Sequence, residues 1–255
     1  MKYLRIGYRL FLVGIHFSVG LLISLTLLRQ GEAKPPQEKE RAIISWWMRR
    51  LARILGLRIR LIGELPDRPV LVVSNHISWL DIPALQSLLP VSFVSKLEVR
   101  EWPLMGMMAA RSGTLFIRRG GKNAANQAME EIAFRLRRGH SMVVFPEATT
   151  TDGRAVRGFH PRLFGAAVHA EVYVQPVAIR YPHAQGVHPA APFIDNEPFL
   201  HHGLRVLSEK FIQVEVTLSR QFISQGIDRR TLARQAHEAV RSIVECVPAK
   251  LQPPA

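Results

Sequence analysis

The sequence predicts a mixed, largely parallel α/β sheet flanked by helices, with a membrane-docking helix pair ahead of it, and three patterns carry that prediction. Beyond Gly63, short continuous apolar runs at 70–73, 91–94, 115–117, 142–145 and 172–179 read as buried strands. Segments of helical character at 81–89, 101–111, 122–138 and 161–170 separate them, and strands that alternate with helices in this way build an α/β domain. Ahead of both stands LFLVGIHFSVGLLISLTLL at 10–28, whose only ionisable residue is His16.

Taken in order, the 19 residues of that first stretch would reach roughly 28 Å as a helix, enough to span a bilayer. The segment that follows, LRQGEAKPP, fits a signal-peptide cleavage site poorly, so the helix is expected to be retained. Lys2, Arg5 and Arg9 precede it while Arg29, Lys34, Lys39 and Arg41 follow, so the basic residues are nearly balanced and leave its orientation open. After Pro35 and Pro36, residues 39–57 place Ile43, Trp47, Leu51 and Ile54 on one helical face and Arg49, Arg50 and Arg53 on the other. Trp46 and Trp47 beside three arginines suit a helix at the headgroup level of an anionic membrane. The expected division is therefore N-terminal transmembrane or interfacial helices at 1–60 and an α/β domain at 61–255. Gly139 is the expected stop of the 122–138 helix. A last strand is expected at 211–218 and a final helix capped by Asp228 and running to about Val247. The Pro- and His-rich stretch 181–203 has no clear period and reads as a surface excursion.

With 34 Lys plus Arg against 20 Asp plus Glu, the 255-residue chain carries +14 and should seek anions. No nucleic-acid motif accompanies that charge, so nucleic acid is not an expected partner. The single cysteine, Cys246, rules out an intramolecular disulfide; its neighbours Ile243, Val244 and Val247 suggest a buried, protonated thiol on the last helix rather than a nucleophile. None of the ten histidines forms an H-E-x-x-H or comparable ligand set, so neither a metal nor any other cofactor is expected. His201 and His202 read as a solvent-exposed pair on a loop.

Three blocks carry chemistry. Ser74-Asn75-His76-Ile77-Ser78-Trp79-Leu80-Asp81 follows the strand that ends near Val73. On one continuous helix His76 and Asp81 would stand roughly 140° apart, so a turn must bring them together. If His76 sits on a loop and Asp81 at a helix entrance, the carboxylate can fix the imidazole tautomer and leave the other nitrogen to act as a general base. Alone, such a pair is more often a structural histidine beside a helix cap. Gly113-Thr114-Leu115-Phe116-Ile117-Arg118-Arg119 brings two arginines to the end of a second strand, where Arg119 can hold an anionic group by paired hydrogen bonds and Arg118 can simply be solvated. Phe145-Pro146-Glu147-Ala148-Thr149-Thr150-Thr151-Asp152-Gly153 follows a third strand and gathers N–H and hydroxyl donors in a small space.

Together the blocks resemble the glycerolipid acyltransferase family typified by bacterial 1-acylglycerol-3-phosphate (lysophosphatidate) acyltransferase. The resemblance covers roughly 65–185 and rests on N-H-x4-D at 75–81, F-I-x-R at 116–119, F-P-E at 145–147 and Gln175-Pro176-Val177. It implies His76 as base with Asp81 as its partner, and acceptor binding by Arg119, Glu147, Thr149, Thr150 and Arg118. It also implies a membrane enzyme, at a bacterial inner membrane with its active site on the cytoplasmic face. The activity so implied is O-acyl transfer from acyl-CoA or acyl carrier protein to the free hydroxyl of a lysolipid in phospholipid biosynthesis, with 1-acylglycerol-3-phosphate as the first acceptor. Relatives with a simple phosphate acceptor commonly read F-P-E-G-T-R, whereas Ala148 and Thr150 stand here in place of the glycine and the arginine. That departure resembles relatives acting on lyso-ornithine lipid or on lysophospholipids with larger headgroups. A thioesterase delivering the acyl group to water and a non-enzymatic lipid-binding protein are the competing readings.

Overall fold

The computed structural model describes residues 1–28, 36–118 and 124–246. Its elements in chain order are α1 (Lys2–Thr26), α2 (Glu38–Leu55), β1 (Leu57–Ile62), β2 (Val70–Ser74), α3 (Asp81–Leu88), β3 (Val91–Lys96), α4 (Leu97–Arg100), α5 (Met105–Arg111), β4 (Leu115–Ile117), α6 (Ala124–Arg137) and β5 (Ser141–Val144). A 3-10 turn at Pro161–Phe164 then leads to α7 (Gly165–Ala170), β6 (Tyr173–Arg180), β7 (Pro182–His183), β8 (Gly186–Val187), α8 (Phe199–Ser208), β9 (Ile212–Leu218) and α9 (Arg229–Val244).

Seven strands form one sheet in the order β1-β9-β6-β2-β5-β3-β4. Every neighbouring pair is parallel except β6 with β9, which gives the mixed, largely parallel sheet that the alternation predicts. Side chains alternate between the two faces along a strand, and β2 shows why its run is apolar throughout. Val70 and Val72 pack with Leu51 and Leu55 of α2 and Leu85 of α3. Leu71 and Val73 pack on the opposite face with Ile132 of α6 and with Leu232 and Val240 of α9. Burial on both faces puts the C-terminal ends of β2 and β5, registered side by side, at the rim where loops can collect a ligand.

Local signals set the helix ends. Gln37 N–H donates to Glu40 at 2.7 Å at the start of α2, and Gly56 at φ 81° ends it. Gly139 at φ 84° closes α6, and Asp228 accepts from the N–H groups of Arg230 and Thr231 at the start of α9, both as expected. Other expectations give way. The helix expected at 39–57 stops at Leu55 and yields Leu57 to β1, which pairs with β9. The helix expected at 101–111 begins only at Met105, as α5, because Pro103 cannot continue the ladder and Leu104 turns back at φ 60°, and the short α4 precedes it at Leu97–Arg100. Residues 181–203 are not a plain surface excursion: Tyr181, Ala190, Ala191 and His202 are buried. His202 belongs to α8 and is sealed from solvent, while His201 is exposed. Cys246 lies just past α9 and is exposed rather than buried.

α1 is long and apolar enough to cross a membrane, with little of it buried. Its packing polarity is inverted relative to a soluble helix. The buried positions are His16, Gly20 and Ser24, whereas Leu4, Leu10, Phe11, Ile15, Val19, Leu22 and Leu25 face outward. The inner face accepts Trp47, which stacks on His16 at 4.4 Å between ring centroids. An outward apolar face of this extent suits lipid, not water. At the other end of the helix Arg5 and Arg9 donate to the carbonyls of Leu207, Ser208, Glu209 and Lys210, capping the C-terminus of α8.

Candidate active site

β2 delivers the loop that carries His76. Asn75 makes a two-way pair of hydrogen bonds with β6, its side chain donating to Ile179 O at 2.9 Å and accepting from Ile179 N at 2.8 Å, so the chain leaves the strand at a fixed point. His76 stands on the loop that follows and Asp81 is the first residue of α3, as the turn argument requires. His76 Nδ1 lies 2.8 Å from Asp81 Oδ2, and the same oxygen accepts from the backbone N–H of Ile77 at 2.8 Å and of Ser78 at 3.0 Å. Asp81 Oδ1 accepts from the Tyr181 hydroxyl at 2.7 Å. Asp81 is fully buried, and four donors compensate for the loss of water around its charge. Burial, then the Asp81 charge, pushes the Tyr181 hydroxyl well above its ordinary range, so it stays a donor.

With Nδ1 engaged, His76 presents Nε2 as the ring nitrogen without a partner among the described residues. The ring stacks on Phe145, 4.0 Å between centroids and 13° from parallel. A carboxylate behind the imidazole and an open nitrogen before it make a general base able to carry a transient positive charge. His76 lines a cavity of about 1780 Å³ whose other walls include Val13 and Phe17 of α1, Trp47 and Leu51 of α2, Met105 and Met108 of α5, and residues 148–152. Such a space suits a long apolar chain beside a polar group.

The blocks named from the sequence separate in space and role. Glu147 does not face the cavity. Its Oε1 accepts from His76 N at 2.8 Å and its Oε2 from Arg157 N at 2.8 Å, which ties two loops together. Burial raises its carboxyl above the ordinary range, against these two hydrogen bonds and the His76 charge, which lower it. Thr149 and Thr150 line the cavity, but the Thr150 hydroxyl donates to Phe193 O. Thr151 N donates to His76 O at 2.9 Å. Ala148 holds φ 61°, a left-handed backbone in which glycine is unstrained. Arg118 is exposed and does not line the cavity. Arg119 lies outside the described residues. No group of His, Cys, Asp and Glu able to hold a metal occurs among the described residues.

Two participants escaped the sequence reading. Tyr181 was assigned to a surface segment, and its one sequence signal is its place just past β6, the strand next to β2. Phe193 N donates to Ile77 O at 3.0 Å, so the 191–196 loop forms a wall of the site. That wall rests on His202, whose Nδ1 accepts from Trp79 Nε1 at 2.9 Å while Nε2 donates to Pro192 O at 3.0 Å. Burial lowers the His202 pKa, in keeping with this neutral tautomer.

A family profile described as Acyltransferase matches residues 57–180. The chain is 43% identical over 241 residues to the lyso-ornithine lipid O-acyltransferase of Pseudomonas aeruginosa, covering 93% of this chain and 91% of the relative. The chain belongs to the acyltransferase family. A 1-acyl-sn-glycerol-3-phosphate acyltransferase of Neisseria gonorrhoeae is 32% identical over 82% of this chain and 83% of its own length. The crystal structure of the 1-acyl-sn-glycerophosphate acyltransferase from Thermotoga maritima matches with a TM-score of 0.67 at 20% identity, covering 98% of both chains, a likeness of fold. The acyltransferase is thus a membrane-associated enzyme of lipid biosynthesis, as the outward apolar face of α1 also indicates.

Proposed function

We propose that this acyltransferase moves an acyl group from an acyl thioester, acyl-CoA or acyl carrier protein, to the free hydroxyl of a lyso-ornithine lipid at the cytoplasmic face of a bacterial inner membrane. The observation that carries the chemistry is the 2.8 Å contact between His76 Nδ1 and Asp81 Oδ2 at the wall of a largely apolar cavity. Neutral His76 removes the hydroxyl proton through Nε2 as the oxygen attacks the thioester carbonyl. The tetrahedral oxyanion then collapses, the carbon–sulfur bond breaks, and the thiol leaves with the proton that His76 returns. Asp81 steadies the imidazolium in between, and Glu147 holds the His76 backbone in register. Thr149, on the cavity wall, and Arg119, at the end of the F-I-x-R block, are assigned to the acceptor.

The acceptor assignment is supported by the identity to the Pseudomonas relative over nearly the whole chain and by the altered F-P-E block. The Thr150 hydroxyl bonds Phe193 O where phosphate-acceptor relatives commonly carry an arginine. 1-Acylglycerol-3-phosphate is the second reading, favoured by the Neisseria relative and by the basic cavity residues Lys96, Arg157, Arg162, Arg229 and Arg230. Protein purified in detergent and given a labelled acyl thioester with each lysolipid should yield diacyl product chiefly from lyso-ornithine lipid. His76→Ala should lower that rate by roughly a hundredfold or more. Thiol release without diacyl product would replace transfer by hydrolysis.

A further inference from the structure

Among the described residues lining the cavity the acidic side chains are Asp152, Asp195 and Glu197. Glu197 is held by Arg205 at 2.8 Å. Asp152 accepts from Arg154 N at 3.1 Å and meets the Arg154 guanidinium at 3.9 Å. Asp195 is exposed and has no hydrogen bond or ion pair among the described residues, so its carboxylate is the one left to a ligand. It is also well placed. Phe193, two residues earlier, is bonded to Ile77 O, so Asp195 stands no more than about 7 Å of chain from a residue fixed to the His76 loop.

On the other loop Arg157 is the cavity-lining cation tied to His76. Its amide nitrogen and that of His76 each bond an oxygen of the single Glu147 carboxylate, which keeps the two nitrogens within about 8 Å. The Arg157 guanidinium has no partner among the described residues. A cation and an anion, each unpaired and each anchored to the loop that carries the base, do not suit a dianionic phosphate. Asp195 would repel such a group while Arg157 attracted it. An N-acylated ornithine keeps one carboxylate and one ammonium and matches both.

We propose that Arg157 and Asp195 select the acceptor by reading a zwitterionic headgroup, Arg157 holding its carboxylate in a forked pair and Asp195 its ammonium. This rests on the lyso-ornithine reading above and assigns its specificity to two residues. Asn tolerates the left-handed backbone of residue 195, φ 57°, as Asp does, so Asp195→Asn removes the charge without straining the loop.

The test compares three acceptors, lyso-ornithine lipid, its derivative acetylated on the free amine, and lysophosphatidate, with wild type, Asp195→Asn and Arg157→Gln. In Asp195→Asn the ratio of kcat/KM for lyso-ornithine lipid to that for the acetylated derivative should fall about tenfold, through KM, and activity on lysophosphatidate should rise. In Arg157→Gln both ornithine acceptors should weaken together, since both keep the carboxylate. Wild type acting on lyso-ornithine lipid with an unchanged ratio in Asp195→Asn would overturn this inference alone. Wild type acting on lysophosphatidate and not on lyso-ornithine lipid would overturn it together with the reading on which it rests.

Discussion

Tyr181→Phe tests whether the carboxylate behind His76 is held as the structure holds it. The substitution keeps the ring, which is buried, and deletes one hydroxyl whose partner is Asp81 Oδ1 at 2.7 Å. Asp81 Oδ1 has no other donor among the described residues, so the deletion leaves a buried charged oxygen unpaired. Losing a hydrogen bond to a charged acceptor in such a place costs about 1.5–3 kcal/mol. For a chain of this size that lowers the unfolding midpoint by roughly 3–12 °C. The rate should respond far less. Asp81 Oδ2 keeps His76 and the N–H groups of Ile77 and Ser78, so the imidazole keeps its tautomer and kcat should fall by less than about tenfold.

Circular dichroism in detergent and the labelled-thioester assay read the two quantities on one preparation. A cycle with Asp81→Asn sharpens the comparison. Asn can turn its oxygen to His76, Ile77 and Ser78 and its amide to the Tyr181 oxygen, so the Tyr181 hydroxyl loses its charged partner and the two substitutions should couple by about 1–2 kcal/mol. A midpoint unchanged by Tyr181→Phe, or strict additivity with Asp81→Asn, would refute the claim that this hydroxyl stabilises the buried carboxylate. A hundredfold loss of kcat at an unchanged midpoint would place the hydroxyl in the chemistry instead.

Further outcomes follow from other contacts. Glu147→Gln sets an amide donor against one of two backbone N–H groups in a buried place, and should cost about 1–3 kcal/mol together with a fall in kcat, measured on the same two assays. Ala148→Gly should leave the midpoint level or higher, whereas Ala148→Val forces a branched side chain into a left-handed backbone and should lower it. His140, half-buried beside Arg41, Arg135 and Arg138, has its pKa lowered from 6.5 to about 4, first by burial and then by those charges. It is neutral when folded and takes up a proton when unfolded below 6.5, so its contribution to stability is present above 6.5 and lost as pH falls towards 4. Thermal melts of His140→Gln should therefore decline less than wild type across that window.

What the sequence made legible follows from the range of its signals. Buried parallel strands carry their own composition, so β2, β3, β4, β5 and β6 could be read from continuous apolar runs, and α9 from Asp228 at its cap. β1 was hidden because its alternation, Leu57-Arg58-Ile59-Arg60, merges with the basic amphipathic pattern of α2, and only pairing with β9 separates them. His76 and Asp81 were recoverable because both lie within one turn of chain. Tyr181, 100 residues later in sequence and just past the end of β6, reaches Asp81 only through the β2–β6 register, which no local pattern encodes. Glu147 was read from the F-P-E block as an acceptor-binding residue; its observed partners are backbone amides, which have no letter in a sequence.

α1 and His76 line one cavity. A helix that buries His16, Gly20 and Ser24 and exposes leucines gains little by packing against the domain in water, so its stable seat has lipid on the outside. Its inner residues Val13 and Phe17 line the cavity that His76 also lines, which puts the lipid-facing helix and the imidazole on the wall of one largely apolar space. Arg5 and Arg9 fix the near end of that helix to α8, and His202 of α8 braces the 191–196 wall through Pro192. Under the proposed function, a lysolipid keeps its chain among apolar side chains while its head reaches His76, without the whole molecule crossing water. Loss of the α1 anchor by Arg5→Gln and Arg9→Gln together should accordingly raise KM for a vesicle-borne acceptor more than for a short-chain soluble one. An equal rise for both would mean that the anchor supports the fold of the site rather than its access to the membrane.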